Sequence, residues 1–308
     1  MKNPSRTFRN LFSRKSTAVP HSIAAEAESI GLPTLLLQAE RLAANIQDGR
    51  HGRRRSGSGE DFWQFRPYRS DEPITAIDWK QSARSAQEGA LWVRDREQES
   101  TQNLLIWCDP SASMNWRSSE NFPPKKERAQ LCALALTAAA LRGHERVGLL
   151  NGPEAGRTFS GKHNLEQIGE ALLYPSSSDA DFPDLARIPP RSDIVIISDF
   201  LWEDNKLHTF LKQSSNLPAR IHLLCVLDPE ERSLHQSGRV RFSGLEGGAL
   251  VLPAMETLTA EYEKAMNAHL EILQTHASQF NTQMILHETS HNPLPALLAL
   301  YATLGSGQ

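Results

Sequence analysis

The chain has 308 residues, a formal net charge of −3, 39% hydrophobic residues and 22% charged residues. That length suits one large domain or two modest ones. The near-zero charge argues against nucleic acid as a partner, and no apolar stretch reaches the ~18–20 residues that span a bilayer. Cys108, Cys132 and Cys225 stand far apart in apolar surroundings. They read as buried structural thiols of a cytoplasmic protein, since none forms a Cys-x-x-Cys pair.

Residues 1–21 read as a disordered basic tail, carrying Lys2, Arg6, Arg9, Arg14 and Lys15 with no acid. Leu11-Phe12 is too short for a secretory apolar core. From 22 to 48 the spacing predicts a helix, with Leu35, Leu36, Ala39, Leu42, Ala43 and Ile46 at three- and four-residue steps and Gly49 beyond its end. Residues 49–100 read as a small β-rich module. A Gly/Arg/Ser loop at 49–59, holding Arg50, Arg53, Arg54 and Arg55, leads into extended stretches at Asp61–Arg66, Ile77–Trp79 and Leu91–Arg94. Trp63, Trp79 and Trp92 fall within them.

Residues 101–308 alternate strand and helix. Strands are predicted at Leu104–Cys108, Val147–Leu150, Ile194–Ile197, Ile221–Leu227 and Met284–Leu286. Helices are predicted at Lys125–Arg142, Leu165–Leu173, Lys206–Gln213, Thr257–Phe280 and Leu294–Tyr301. Arg157–Ser160 pairs with the second strand as a short hairpin. Val240–Phe242 and Ala249–Leu252 flank Gly244, Gly247 and Gly248 as an inserted hairpin. The fold class is therefore α/β, with a doubly wound, mostly parallel sheet covered on both faces.

In such a sheet ligands bind beyond the carboxyl ends of the strands, where the strand order reverses. Three apolar runs end in Asp109, Asp199 and Asp228. Asp109 and Asp199 follow neighbouring strands if the first strand is central. In Asp109-Pro110-Ser111-Ala112-Ser113, alternate residues aim hard oxygens at one point. With Asp199 they would suit Mg²⁺, leaving a position open for an acidic side chain of a partner. The same residues are also ordinary turn chemistry, with Asp and Ser bonding nearby backbone.

A second segment gathers Arg66, Tyr68, Arg69, Asp71, Asp78, Trp79 and Arg84. It reads either as an ion-pair and stacking network or as a partner-docking surface. Its acids count against nucleic acid. No nucleotide loop is present, since Gly57-Ser58-Gly59 lacks the lysine and the strand–helix setting. No Gly-x-Ser-x-Gly elbow occurs. The catalytic rival is a metal-dependent hydrolase, phosphatase or nuclease, built on the Asp109/Asp199 crevice.

The Asp109-x-Ser111-x-Ser113 pattern resembles the metal-ion-dependent adhesion site of von Willebrand factor A domains. The ordered succession of Arg66-Pro-Tyr68-Arg69-Ser-Asp71, Ile77-Asp78-Trp79, Ala83-Arg84, Leu91-Trp-Val93-Arg94 and Asp109-Pro-Ser111-Ala-Ser113-Met114 resembles the bacterial family of unknown function numbered fifty-eight. The likeness spans roughly residues 50–305. It implies a von Willebrand factor A-like domain and a MoxR-type AAA+ ATPase as partner. The role implied is an adaptor that helps the ATPase remodel or assemble an unnamed client complex. It implies Mg²⁺ at Asp109, Ser111, Ser113 and Asp199, with no nucleotide. One departure concerns the threonine that precedes the second helix in metal-site A domains. The comparable stretch reads Gly161-Lys162-His163-Asn164-Leu165. Here His163 or Asn164 would have to replace the threonine, or Lys162 would bring a cation to the crevice and leave the loop as scaffold. Ser70-Asp71 stands where the family shows Gly-Asp.

Overall fold

Alternating apolar strands and helices account for most of the chain. It enters as α1 (His21–Asp48), then passes through β1 (Phe62–Pro67), α2 (Trp79–Ser82) and β2 (Trp92–Arg96). It continues as β3 (Asn103–Cys108), α3 (Lys125–Arg142), β4 (Arg146–Leu149), β5 (Thr158–Phe159) and α4 (Leu165–Leu173). Next come β6 (Ser192–Ser198), α5 (Lys206–Ser214), β7 (Ala219–Leu227) and α6 (Pro229–Arg232). The chain closes with β8 (Val240–Ser243), β9 (Ala249–Leu252), α7 (Thr259–Gln279), β10 (Gln283–Glu288) and α8 (Leu294–Thr303). The computed structural model describes residues 21–48, 62–68, 74, 77–84, 91–96, 102–174, 182–185, 188–202, 205–235, 238, 240–243, 249–252 and 258–304. The expected tail and the 49–59 loop lie outside them. The chain divides into two units, Met1–His51 with Gln102–Gln308, and Gly52–Thr101.

In the larger unit six strands form one sheet in the order β10-β7-β6-β3-β4-β5. All neighbours are parallel except β5, which returns antiparallel to β4. From β3 the chain builds outward through β4 and β5, then crosses back to β6, β7 and β10. The order therefore reverses between β3 and β6, whose carboxyl ends open the crevice expected at such a point.

Every residue of β3 and β6 is buried, as a central strand covered on both faces demands. Side chains alternate between two cores. Leu104, Ile106, Val195, Ile197, Leu224 and Val226 pack with α1, α3, α4 and α8. Leu105, Trp107, Ile194, Ile196, Leu223 and Leu227 pack with α5 and α7. Gly148 is required at its place in β4, because a Cβ there would lie 2.3 Å from the Arg157 carbonyl oxygen.

Helix α3 is buried over almost its whole circumference, with Ala129 through Leu141 all inaccessible. Its outer side meets Ala39, Ala43 and Ile46, which form one stripe of α1 at i, i+4 and i+7. Hairpin β8–β9 is antiparallel and forms its own two-stranded sheet. Among the described residues no helix is long and apolar enough to cross a membrane.

In the smaller unit β1 pairs antiparallel with β2, with an irregularity between Phe62 and Gln64. The expected strand at Ile77–Trp79 is not one. Ile77 makes a single bridge to Val93, and Asp78 then caps α2, its Oδ1 accepting from Gln81 N at 3.0 Å. A short polar side chain before a turn satisfies an orphan helix donor, and here that bond outcompetes extension.

Candidate functional site at the β3–β6 switch point

The crevice is built from three loop entries. At the end of β3 the backbone N–H and C=O of Cys108 bond the side-chain amide of Asn151, each at 2.9 Å. Asn151 thereby extends the ladder past the end of β4. Asp109 N donates to Ile197 O at 2.9 Å, which keeps Asp109 aligned with β6. Asp109 Oδ1 accepts from Ser111 N at 2.8 Å, the Asx-turn bond that bends the chain back over the strand end. Buried Met114 pins the following turn. The Ser111 and Ser113 hydroxyls lie 3.0 Å apart and bond each other.

From β6, Ser198 Oγ donates to Asp109 Oδ2 at 2.5 Å and accepts from Phe200 N at 2.9 Å. Asp199 Oδ1 accepts from Leu201 N at 3.1 Å. These bonds turn the chain so sharply that Phe200 adopts φ 52°. That left-handed conformation costs a non-glycine residue roughly 1–2 kcal/mol. Packing holds it in place. The Phe200 ring is buried and lies edge-on to Trp202, 5.0 Å between centroids, while its carbonyl accepts from His269 Nε2 at 3.1 Å. The strain aims Trp202 inward, where its Nε1 donates to Asp109 Oδ2 at 3.1 Å.

The third entry is a lysine. Lys125, the first residue of α3, is fully buried, and its ammonium donates to Asp199 Oδ2 at 2.8 Å and to Glu231 Oε1. The other Glu231 oxygen accepts from Asp228 N at 3.0 Å, completing the capping box of α6. Asp228 in turn accepts from Ser118 N at 2.9 Å.

Two carboxylates share one ammonium, and their acidities diverge accordingly. Burial acts to raise Asp199, but the charge and hydrogen bond of Lys125, with help from Ser113 and the Leu201 amide, bring it below the usual carboxylate range. Glu231 is raised to about 7, by burial first and by the charge of Asp199, despite its own bond to Lys125. The excess negative charge is shed there as a retained proton. Burial, and then the charge of Asp199, also raise Asp109.

The four expected crevice residues are thus brought together. Asp109 and Asp199 form a buried floor, and Ser111 and Ser113 form a partly exposed rim. Mg²⁺ demands near-octahedral oxygens at about 2.0–2.1 Å. Here Asp109 Oδ2 already receives two donors, Oδ1 receives a third, the serines bond each other, and Asp199 Oδ2 holds an ammonium. Among the described residues no three His, Cys, Asp or Glu side chains gather as a metal would require. As folded, these donors do not fit a dication.

Gly161 to Asn164 do not reach the crevice. β5 runs antiparallel, with Phe159 opposite Val147 near the start of β4. The residues that follow β5 therefore lie at the opposite end of the sheet, and Lys162 lines a cleft with Glu40, Leu141 and Arg142 at the far end of α3. The cation near the crevice is Lys125, not Lys162. Its signal in the sequence was a lysine opening a helix, against the macrodipole.

In the smaller unit, Arg66 pairs with Val93 through β1, and Tyr68 N donates to Leu91 O. Asp78 serves as a helix cap, whereas Trp79 and Arg84 are exposed. Arg69 and Asp71 lie outside the described residues. Cys108, Cys132 and Cys225 are free and buried.

A family model described as "Protein of unknown function DUF58" matches residues 64–272. No curated protein matches the chain. One similar solved structure is an aerotolerance-related membrane protein from Bacteroides fragilis carrying multiple mutations to serines, at 17% identity. The alignment covers 66% of this chain and 98% of that one, with a TM-score of 0.41. Another is the conserved hypothetical protein BatB from Bacteroides thetaiotaomicron, at 16% identity, covering 67% of this chain and 100% of that one, with a TM-score of 0.38.

Proposed function

Because the chain belongs to the DUF58 family, proteins of unknown function, we propose its role from the crevice itself: a non-enzymatic protein-binding adaptor on a von Willebrand factor A-like domain. One observation carries this reading. The crevice offers two partly exposed hydroxyls, Ser111 and Ser113, above carboxylates that are already fully engaged by internal donors. Such a surface can hydrogen-bond a partner. It presents no unengaged base and no activated nucleophile, so binding is favoured over hydrolysis. The ordered segments from Arg66 to Met114 support a MoxR-type AAA+ ATPase as the partner, with a client protein complex as the object of remodelling.

The test is binding of the purified chain to a MoxR-type ATPase without nucleotide, with ADP and with ATP. Binding in at least one state, weakened roughly tenfold by joint Ser111→Ala and Ser113→Ala, is expected for two lost hydrogen bonds. Absence of binding in every nucleotide state would end the adaptor reading. Turnover of a generic phosphoester, abolished by Asp109→Ala, would replace it with the hydrolase.

A further inference from the structure

We propose that Lys125 is the resident cation of the crevice, tethered where the Asp-x-Ser-x-Ser pattern invites a dication, and that the crevice works without metal. Three independent elements build this lysine site. The start of α3 supplies the ammonium, the end of β6 supplies Asp199 Oδ2 at 2.8 Å, and α6 supplies Glu231 Oε1. Glu231 is fixed from its other oxygen by Asp228 N, so it is not a chance neighbour.

A lysine ammonium is a compact point charge with three donors. Two of them are spent on these carboxylates. The placement runs against the helix dipole, which disfavours a cation at the first residue of α3. The anionic pair compensates for it. With Lys125 wholly buried, no partner can reach the charge. The lysine therefore organises the crevice from within, and a partner meets the Ser111 and Ser113 rim. A ligand carboxylate bridged to protein by a metal, as the resemblance implies, is not needed. Partner binding at this crevice is then indifferent to chelators.

The test reads metal uptake on the isolated full chain, so it stands apart from any partner. Free Mn²⁺ is followed by electron paramagnetic resonance during titration, and Mg²⁺ is used as competitor. The wild type is expected to take up no stoichiometric Mn²⁺ at millimolar concentration, and its Tm should not change between Mg²⁺ and EDTA. Lys125→Ala is expected to gain one Mn²⁺ per chain, displaced by Mg²⁺ and lost on adding Asp109→Asn. Lys125→Gln, which keeps length and donors, serves if the alanine variant fails to fold. If neither folds, the wild-type titration and Tm decide. Stoichiometric Mn²⁺ on the wild type, lost in Asp109→Asn, would overturn the proposal. So would a folded Lys125 variant that gains no site.

Discussion

Lys125→Met removes the ammonium while keeping most of the apolar stem. Asp199 and Glu231 have side chains only 1% exposed, so the variant leaves two buried carboxylates without their cation. Breaking one partner of a buried ion pair costs about 3–5 kcal/mol. For a unit of this size that is roughly 6–20 °C in Tm. The loss should depend on pH. Protonating either carboxylate relieves the variant, and Glu231 already holds its proton to about pH 7. The deficit is therefore larger at pH 8 than at pH 6. Urea unfolding followed by far-UV circular dichroism at both values measures it. Adding Asp199→Asn and Glu231→Gln to Lys125→Met should recover much of the loss, because a whole buried ionic group is replaced at little cost. A deficit under about 1 kcal/mol, as for an exposed pair, would refute the reasoning. A deficit larger at pH 6 than at pH 8 would do the same.

Glu231 is raised from its ordinary 4.5 to about 7. The folded chain holds an extra proton in that window, and the stability present below pH 4.5 is lost as pH rises through 7. Glu231→Gln should flatten this decline in a profile of urea midpoint against pH. His287 is lowered from 6.5 to about 4, by burial first and then by the charges of Arg128 and His291. Its contribution has the opposite sign, because the unfolded chain takes the proton and stability falls as pH drops from 6.5 to 4. His287→Gln should remove that fall, and the two variants should bend the same profile in opposite directions. Trp202→Phe keeps a ring but deletes the bond to Asp109 Oδ2. A loss of about 1.5–3 kcal/mol in urea unfolding is expected for a hydrogen bond to a charged group. Gly148→Ala drives a methyl into the Arg157 carbonyl and should cost about 1–3 kcal/mol, read as a lowered Tm.

The central strands were legible because β3 and β6 are buried on both faces and so read as unbroken apolar runs ending in aspartate. Their adjacency followed from placing β3 centrally. The lysine was not legible, since its partners lie 74 and 106 residues away and only the closed sheet unites them. Its one local trace was a cation opening α3. The reading of Gly161–Asn164 failed for a topological reason: β5 reverses the chain, and a two-residue strand leaves too short a pattern to show it. Ile77–Trp79 failed because three alternating residues do not distinguish a strand from a bridge followed by a cap. Asp78, apparently part of a charged surface, is spent on the backbone of α2.

Helix α3 has almost no side left for water, and two of its neighbours are α1 and α8. Both fall outside residues 64–272, the stretch that the family model matches, as does the edge strand β10. A fragment cut at those limits would bare the Ala-rich flank of α3 and invite self-association. The stretch that carries the kinship is therefore smaller than the stretch that can fold. What lies between those two boundaries is an inner helix waiting for its coat.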